Sequence, residues 1–186
     1  MGHVLPPAFY DRNVVEVAIE LLGKLLVSRT REGLAAGRIV EVEAYLGDGT
    51  DPGSHSQRGP TARNASMFAA PGRIYAYRIY GIHVCINLVC EAKGIGAAVL
   101  LRAVEPVAGI ATMRRGRKLR EDQSDLWIAR GPGRLAQALA LGLESDGQSA
   151  LRGAVTLRRS AAWATSAPGA SAPRSGPALT AERVGP

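Results

Sequence analysis

The chain has 186 residues, 46% of them hydrophobic, and a formal net charge of +7 at neutral pH. This length suffices for one domain with its own core, and no apolar run approaches the roughly 20 residues of a membrane span. The first residues lack the basic and apolar stretches of a signal peptide, and only two cysteines are present, which predicts a cytoplasmic protein, associated with the nucleoid if bacterial. No Cys/His pair has zinc-ligand spacing, so we expect neither metal nor cofactor.

Arginine supplies most of the positive charge, because the only lysines are Lys24, Lys93 and Lys118. The planar guanidinium fork binds oxyanions through paired hydrogen bonds, which suits phosphate contacts. A basic balance of this kind indicates a polyanionic partner, although many soluble proteins are basic too.

The N-terminal third is predicted to form a helix followed by a β-hairpin. Asp11 or Asn13 can cap the helix, and Gly23 is a suitable end. Leu25–Thr30 has the composition of a strand, which a short turn returns into a second strand, Gly37–Tyr45.

The strand Gly37–Tyr45 carries two acids and an aromatic residue. Strand side chains alternate between faces, so one face is predicted to hold Ile39, Glu41, Glu43 and Tyr45, and the other, buried face Val40, Val42 and Ala44. A carboxylate held on a rigid strand beside an aromatic ring is a candidate general base. The alternative is a solvated or salt-bridged strand face.

A long polar connection, residues 46–71, follows this strand, and loops of such length are often functional. Within it, Thr61 is a candidate cap for a short helix. Two further strands are predicted at Arg73–Tyr80 and Ile82–Cys90, separated by Gly81. The large aromatic residue at this hairpin tip is Tyr80. It indicates either a functional wedge or a tip that folds back onto the body of the protein.

Gly96–Val104 is predicted to be a strand that carries Arg102 near its end. Pro106 is then predicted to start a helical stretch that runs into residues 113–120, the densest basic run of the chain. This run is either a solvated face or a set of phosphate contacts. Gly131 is predicted to open a further helix, and residues 161–180 form a low-complexity stretch rich in Ala, Ser, Pro and Gly.

Several of these segments, in this order, resemble the alkyladenine (3-methyladenine) DNA glycosylase family over about residues 5–160. The matching motifs are Gly37–Gly47, Ser54-His55, Arg63–Phe68, Pro71–Asn87, Ala98–Pro106 and Gly131–Leu135. Ala62 stands where the family usually has proline, and the C-terminus is shorter than the family pattern.

The resemblance implies a role for each matching position. Glu43 would activate the attacking water, and Arg102 would orient that water and touch the adjacent phosphate. Tyr80 would wedge into the DNA. Asn87 would exclude guanine-type bases. The walls of the base pocket would be Tyr45, His55 and Tyr77. Candidates for DNA-backbone contacts are Arg63, Arg114, Arg115, Arg117 and Lys118.

The resemblance also implies a fold and an activity. The fold is a single mixed α/β domain over residues 1–186, with a curved, mainly antiparallel sheet, flanking helices and a protruding hairpin. The activity is excision of alkylated or deaminated purines from duplex DNA by a monomer. No lysine falls within the pocket motifs, which predicts hydrolysis without strand cleavage. The alternatives are a damage-binding module without catalysis and an RNA-binding translation factor.

Overall fold

The computed structural model describes residues 2–160, and the predicted low-complexity stretch lies outside them. Six strands form one antiparallel sheet in the order β3-β4-β5-β2-β1-β6. The strands are β1 Leu25–Thr30, β2 Gly33–Tyr45, β3 Ile74–Ile79, β4 His83–Cys90, β5 Ala97–Ala108 and β6 Val155–Arg158. The predicted fold class, a mixed α/β protein with a mainly antiparallel sheet, is confirmed.

Within the described residues, four short α-helices accompany the sheet, namely α1 Pro7–Tyr10, α2 Val14–Leu21, α3 Ile110–Gly116 and α4 Pro132–Ala138. Single 3₁₀ turns lie at Ala65–Phe68, Asp125–Trp127 and Leu143–Ser145. The predicted first helix is confirmed, with Asn13 as its cap, because the Asn13 side chain accepts a hydrogen bond from the Val15 amide. The main core joins buried side chains of α2, α3 and α4 to one face of the sheet.

The predicted helix start at Pro106 is wrong. Strand β5 continues through Pro106 to Ala108, because β2 begins at Gly33 and pairs with this extension. The proline is tolerated where the β2–β5 register is irregular. Gly109 then turns the chain into α3 with a φ of 71°, and a Cβ there would lie 1.9 Å from the Leu34 carbonyl oxygen.

Strict alternation along β2 is also wrong at its centre. The β2–β5 register shifts on both sides of Glu41, so that Val40 on β2 and Arg102 on β5 have no paired residue. Val40 is 52% exposed, whereas Ile39 and Val42 both join the main core. A bulge redirects side chains in this way. Alternation resumes beyond the bulge, which leaves Glu41 and Glu43 on the predicted shared face.

The sheet face opposite the main core carries a second, smaller cluster. Its buried members are Met67, Tyr75, Val89 and Ala98, with Tyr45, Phe68 and Tyr77 packed against them. Residues of β3 that alternate with these tyrosines, such as Ile74 and Ala76, belong to the main core. The aromatic residues predicted to line a pocket therefore lie together on one face.

Candidate active site

Three side chains from β2 and β5 form a hydrogen-bonded cluster around Glu43. Arg102 Nη1 donates to Glu43 Oε1 at 2.6 Å, and the Tyr45 hydroxyl donates to Glu43 Oε2 at 2.8 Å. The side chain of Glu43 is 31% exposed and that of Arg102 34%. The carboxylate is thus fixed at both oxygens, yet it is not sealed from solvent.

Cross-strand pairing aligns this cluster with residues of the neighbouring strands. Glu43 pairs with Leu100 on β5, Leu100 with Asn87 on β4, and Asn87 with Tyr75 on β3. Directly paired residues point to the same face of an antiparallel sheet, so this row runs from the acid to the aromatic cluster. Two strand spacings, about 10 Å, separate the backbones of Glu43 and Asn87.

Asn87 is 2% exposed and is held by the sheet itself. Its Nδ2 donates to the Tyr75 carbonyl oxygen at 3.0 Å. Because the amide is committed to this bond, its orientation is set by the protein. Asn87 therefore presents a fixed shape on the face that carries the acid.

The aromatic cluster brings together the three rings predicted to form pocket walls. The ring centroids of His55 and Tyr77 lie 4.5 Å apart, and those of Tyr75 and Tyr77 lie 5.3 Å apart. Tyr45 packs against the same small cluster as Tyr77. Burial raises the pKa of both the Tyr45 and the Tyr77 phenols well above the ordinary value, so both remain protonated near neutral pH.

His55 has a hydrogen-bond partner that the sequence did not reveal. Its Nδ1 lies 2.7 Å from the hydroxyl of Tyr75, and burial raises the pKa of that phenol to about 12. Partial burial of the imidazole, with a smaller contribution from Arg63, lowers the pKa of His55. The lowered pKa favours the neutral form of the imidazole. In the sequence, the two-residue alternation that places Tyr75 on the same face as Tyr77 indicates a role for Tyr75.

The tip of the β3–β4 hairpin presents two exposed apolar side chains, Tyr80 at 83% and Ile82 at 73% exposure. The alternative of a tip folded back onto the body is thus wrong. Tyr80 itself has a φ of 51°, next to Gly81 with a φ of 72°. A bulky residue rarely adopts positive φ, and such strain often marks a functional position.

The predicted basic contacts fall into two groups. Arg114 donates to the carbonyl oxygens of Gln123, Arg120 and Glu121 and pairs with Asp125. Arg117 donates to the Ile128 carbonyl oxygen and to Gln137, so both guanidinium groups hold the chain that follows α3. By contrast, the residues Arg63, Arg115 and Lys118 are exposed. The described structure brings none of these five into hydrogen-bond contact with Glu43.

Within residues 2–160, no group of three or more His, Cys, Asp or Glu side chains is arranged to hold a metal ion. Cys85 and Cys90 are both buried and free. In the same part of the chain, no helix is both long enough and apolar enough to cross a membrane.

Comparison with known proteins gives a consistent result. The sequence profile of the methylpurine-DNA glycosylase family matches residues 8–185. This range includes the low-complexity stretch, residues 161–180. The chain belongs to this family. The match confirms the predicted resemblance and the predicted enzyme class, a glycosylase that hydrolyses N-glycosidic bonds.

Individual relatives agree with the family match. A protein of Methanoculleus marisnigri named "Putative 3-methyladenine DNA glycosylase" is 50% identical over 156 residues, which cover 83% of this chain and 77% of the relative. Proteins of the same name from Leifsonia xyli subsp. xyli and Burkholderia orbicola are 52% and 49% identical. Those alignments cover 74% and 78% of this chain and 65% and 68% of the relatives.

Sequence analysis of this glycosylase missed the structural role of Asn64, which organises the long loop. Asn64 is 4% exposed, and its Nδ2 donates to the carbonyl oxygens of His55 and Gly59 at 2.8 and 3.1 Å. Its Oδ1 accepts from the amide and the hydroxyl of Thr61. The sequence contains the Arg63-Asn64 motif, but spacing alone does not reveal which backbone groups the Asn64 side-chain amide binds. Asn64 thus holds the segment that presents His55.

Replacing Asn64 by alanine is expected to loosen this loop. The change removes the donors to two partly buried carbonyl oxygens and an acceptor for Thr61, a loss of about 1–3 kcal/mol of local stability. Tryptic cleavage after Arg58 and Arg63 should accelerate several-fold. The matched control is Asp48→Ala, because Asp48 binds only Thr50 in the same loop. Equal cleavage rates for Asn64→Ala and wild type would contradict this role.

Proposed function

We propose that this glycosylase removes alkylated and deaminated purines, 3-methyladenine and hypoxanthine, from duplex DNA after turning the damaged nucleotide out of the helix. The observation that supports this most strongly is the arrangement around Glu43. A carboxylate fixed by Arg102 and Tyr45 stands beside a cluster of aromatic rings on one sheet face. Activation of a nucleophilic water requires a carboxylate, and binding of a flat base requires aromatic rings beside it.

Eversion is needed because the glycosidic bond is inaccessible inside a stacked duplex, and it costs about a few kcal/mol. The exposed ring of Tyr80 can fill the gap that the base leaves. A tyrosine side chain has only two χ angles, so ordering it on insertion costs little conformational entropy. We therefore assign Tyr80 the role of the inserted wedge.

Recognition of the base follows from charge and shape. Alkylation at N3 or N7 makes a purine cationic, and each contact with a tyrosine face contributes roughly 0.5–2 kcal/mol through cation–π attraction. Tyr45 and Tyr77 are the candidate faces. A neutral His55 imidazole, as its lowered pKa favours, adds no charge repulsion against such a base. The fixed side-chain amide of Asn87 would exclude guanine-type purines, because these carry an additional exocyclic amine.

For a cationic alkylated purine, the hydrolytic step needs one base and one water; neutral hypoxanthine would leave as an anion and take up a proton from solvent. In this scheme Glu43 takes a proton from the water, the water oxygen bonds to C1′, and the C1′–N bond breaks with its electrons leaving on the purine. A cationic methylpurine departs as a neutral molecule, which makes it a good leaving group. Each carboxylate oxygen has two lone-pair sites, so the bonds from Arg102 and Tyr45 leave one site on each for water.

The remaining partners follow from the same arrangement. The exposed Arg63, Arg115 and Lys118 are the candidates for DNA-backbone contacts. Among the described residues, no lysine makes a hydrogen bond or ion pair with Glu43. This supports hydrolysis to an abasic site without strand cleavage. In this proposal the enzyme acts on duplex DNA as a monomer.

The test is an excision assay on a duplex that carries one hypoxanthine, in parallel with alkylated DNA from which released 3-methyladenine is quantified. We expect base release, and strand breaks only after alkali treatment. The undamaged duplex of the same sequence is the control. Binding of the lesion without any base release would favour the non-catalytic alternative. Tight binding of single-stranded RNA without preference for a lesion would favour the RNA-binding alternative.

A further inference from the structure

Arg102 is held by two acids, and the proposed function uses only one of them. Its Nη1 donates to Glu43, as described above, while its Nε donates to Glu41 Oε1 at 2.8 Å. The Glu41 side chain is 49% exposed. One guanidinium therefore binds two carboxylates that lie two residues apart on the same face of β2.

The backbone explains why Arg102 depends on side-chain contacts. Arg102 has no partner in the β2–β5 ladder, and Glu41 pairs with the next residue, Ala103. The bulge thus directs Arg102 toward β2 but leaves its long side chain to be oriented by what it binds. Glu41 supplies the second contact, because it accepts a hydrogen bond from Arg102 Nε while Glu43 accepts from Nη1.

The geometry of the guanidinium gives Glu41 a specific effect. The group is planar, and rotation about the Cδ–Nε bond moves the Nε hydrogen and both terminal nitrogens together. An acceptor on Nε therefore fixes this torsion and, with it, the position of Nη1. We propose that Glu41 is a positioning residue for base excision. It holds the Arg102 guanidinium so that only Nη1 contacts Glu43.

The alternative orientation explains why this matters. Arginine and carboxylate groups readily form bidentate pairs with two parallel hydrogen bonds. Without Glu41, Arg102 is free to turn and bind both oxygens of Glu43. That pairing would compete with Tyr45 and with the water for the remaining lone-pair sites. Glu41 thus keeps a lone-pair site open on both oxygens of the proposed base instead of on only one.

This inference rests on the proposed function, and its test compares four variants in single-turnover excision. Glu41→Ala is expected to lower the rate constant about tenfold, while Glu41→Gln, whose amide oxygen still accepts from Nε, retains most of it. Lesion binding and melting temperature should stay unchanged, because Glu41 is half-exposed. Adding Glu41→Ala to Arg102→Ala should cause no further loss, since Glu41 acts through Arg102.

The matched control is Glu105→Ala, which removes an exposed acid that pairs with Arg38 across the same two strands at 3.2 Å. We expect it to excise at the wild-type rate. A wild-type rate in Glu41→Ala, an equal loss in the Arg102→Ala background, or a parallel fall in melting temperature would overturn the inference while leaving base excision intact. Absence of excision by the wild type would instead overturn the proposed function.

Discussion

Replacing Glu43 by glutamine is expected to abolish most excision while preserving recognition of the lesion. Glutamine keeps an oxygen for the Tyr45 hydroxyl or the Arg102 guanidinium, but it cannot take a proton from water. General-base catalysis contributes about 10²–10⁴-fold, so the single-turnover rate constant should fall by this factor. The measurement is base release from a hypoxanthine duplex under enzyme excess, with affinity for the same duplex determined separately.

The control for this variant is Glu105→Gln, at the exposed acid paired with Arg38. It changes net charge by the same amount on a neighbouring strand, so it should release the base at the wild-type rate. A Glu43→Gln enzyme that also excises at the wild-type rate would exclude Glu43 as the base. A large loss of affinity without loss of rate constant would assign it to binding instead.

Truncation of Tyr80 to alanine is expected to weaken lesion binding about 10- to 100-fold. Stacking of an aromatic side chain on a base is worth about 1–3 kcal/mol, and an everted nucleotide without a wedge also leaves its neighbours unstacked. The melting temperature should be unchanged, because the side chain is 83% exposed and contributes nothing to the core. Affinity for duplexes with and without the lesion, and the excision rate constant at limiting enzyme, are the measurements.

The control at the hairpin tip is Tyr80→Phe, which retains the ring and should retain affinity. Alanine is preferred to glycine at this position, since glycine would relieve the positive φ of 51° and change the turn itself. If the alanine and phenylalanine variants bind the lesion equally well, the ring is not the wedge. Loss of affinity confined to undamaged DNA would point to a contact that does not involve the gap.

Features that depend on neighbouring residues were predictable from the sequence. Helix α2 follows from an Asn13 cap and a helical apolar pattern, both local properties. The shared face of Glu43 and Tyr45 follows from two-residue alternation, which holds beyond the bulge. The same reasoning failed at Val40 and Pro106, because a bulge and an extended strand are set by the register of the partner strand.

The arrangement of the candidate site was not predictable in this way, because its residues are far apart in sequence. The family resemblance implied the roles of Glu43 and Arg102, but no spacing indicates that Arg102 contacts two acids 59 and 61 residues away. Likewise, the basic run gave no sign that Arg114 and Arg117 bind the chain that follows them rather than face solvent.

By itself, the sequence determined the enzyme family, the antiparallel α/β class, the acid–aromatic strand and the hairpin with a tyrosine at its tip. Only the tertiary structure decided the Tyr75–His55 pair, the loop contacts of Asn64 and the double hold on Arg102. The physical reason is that backbone periodicity fixes which way a side chain points, whereas strand register and loop closure fix what it meets.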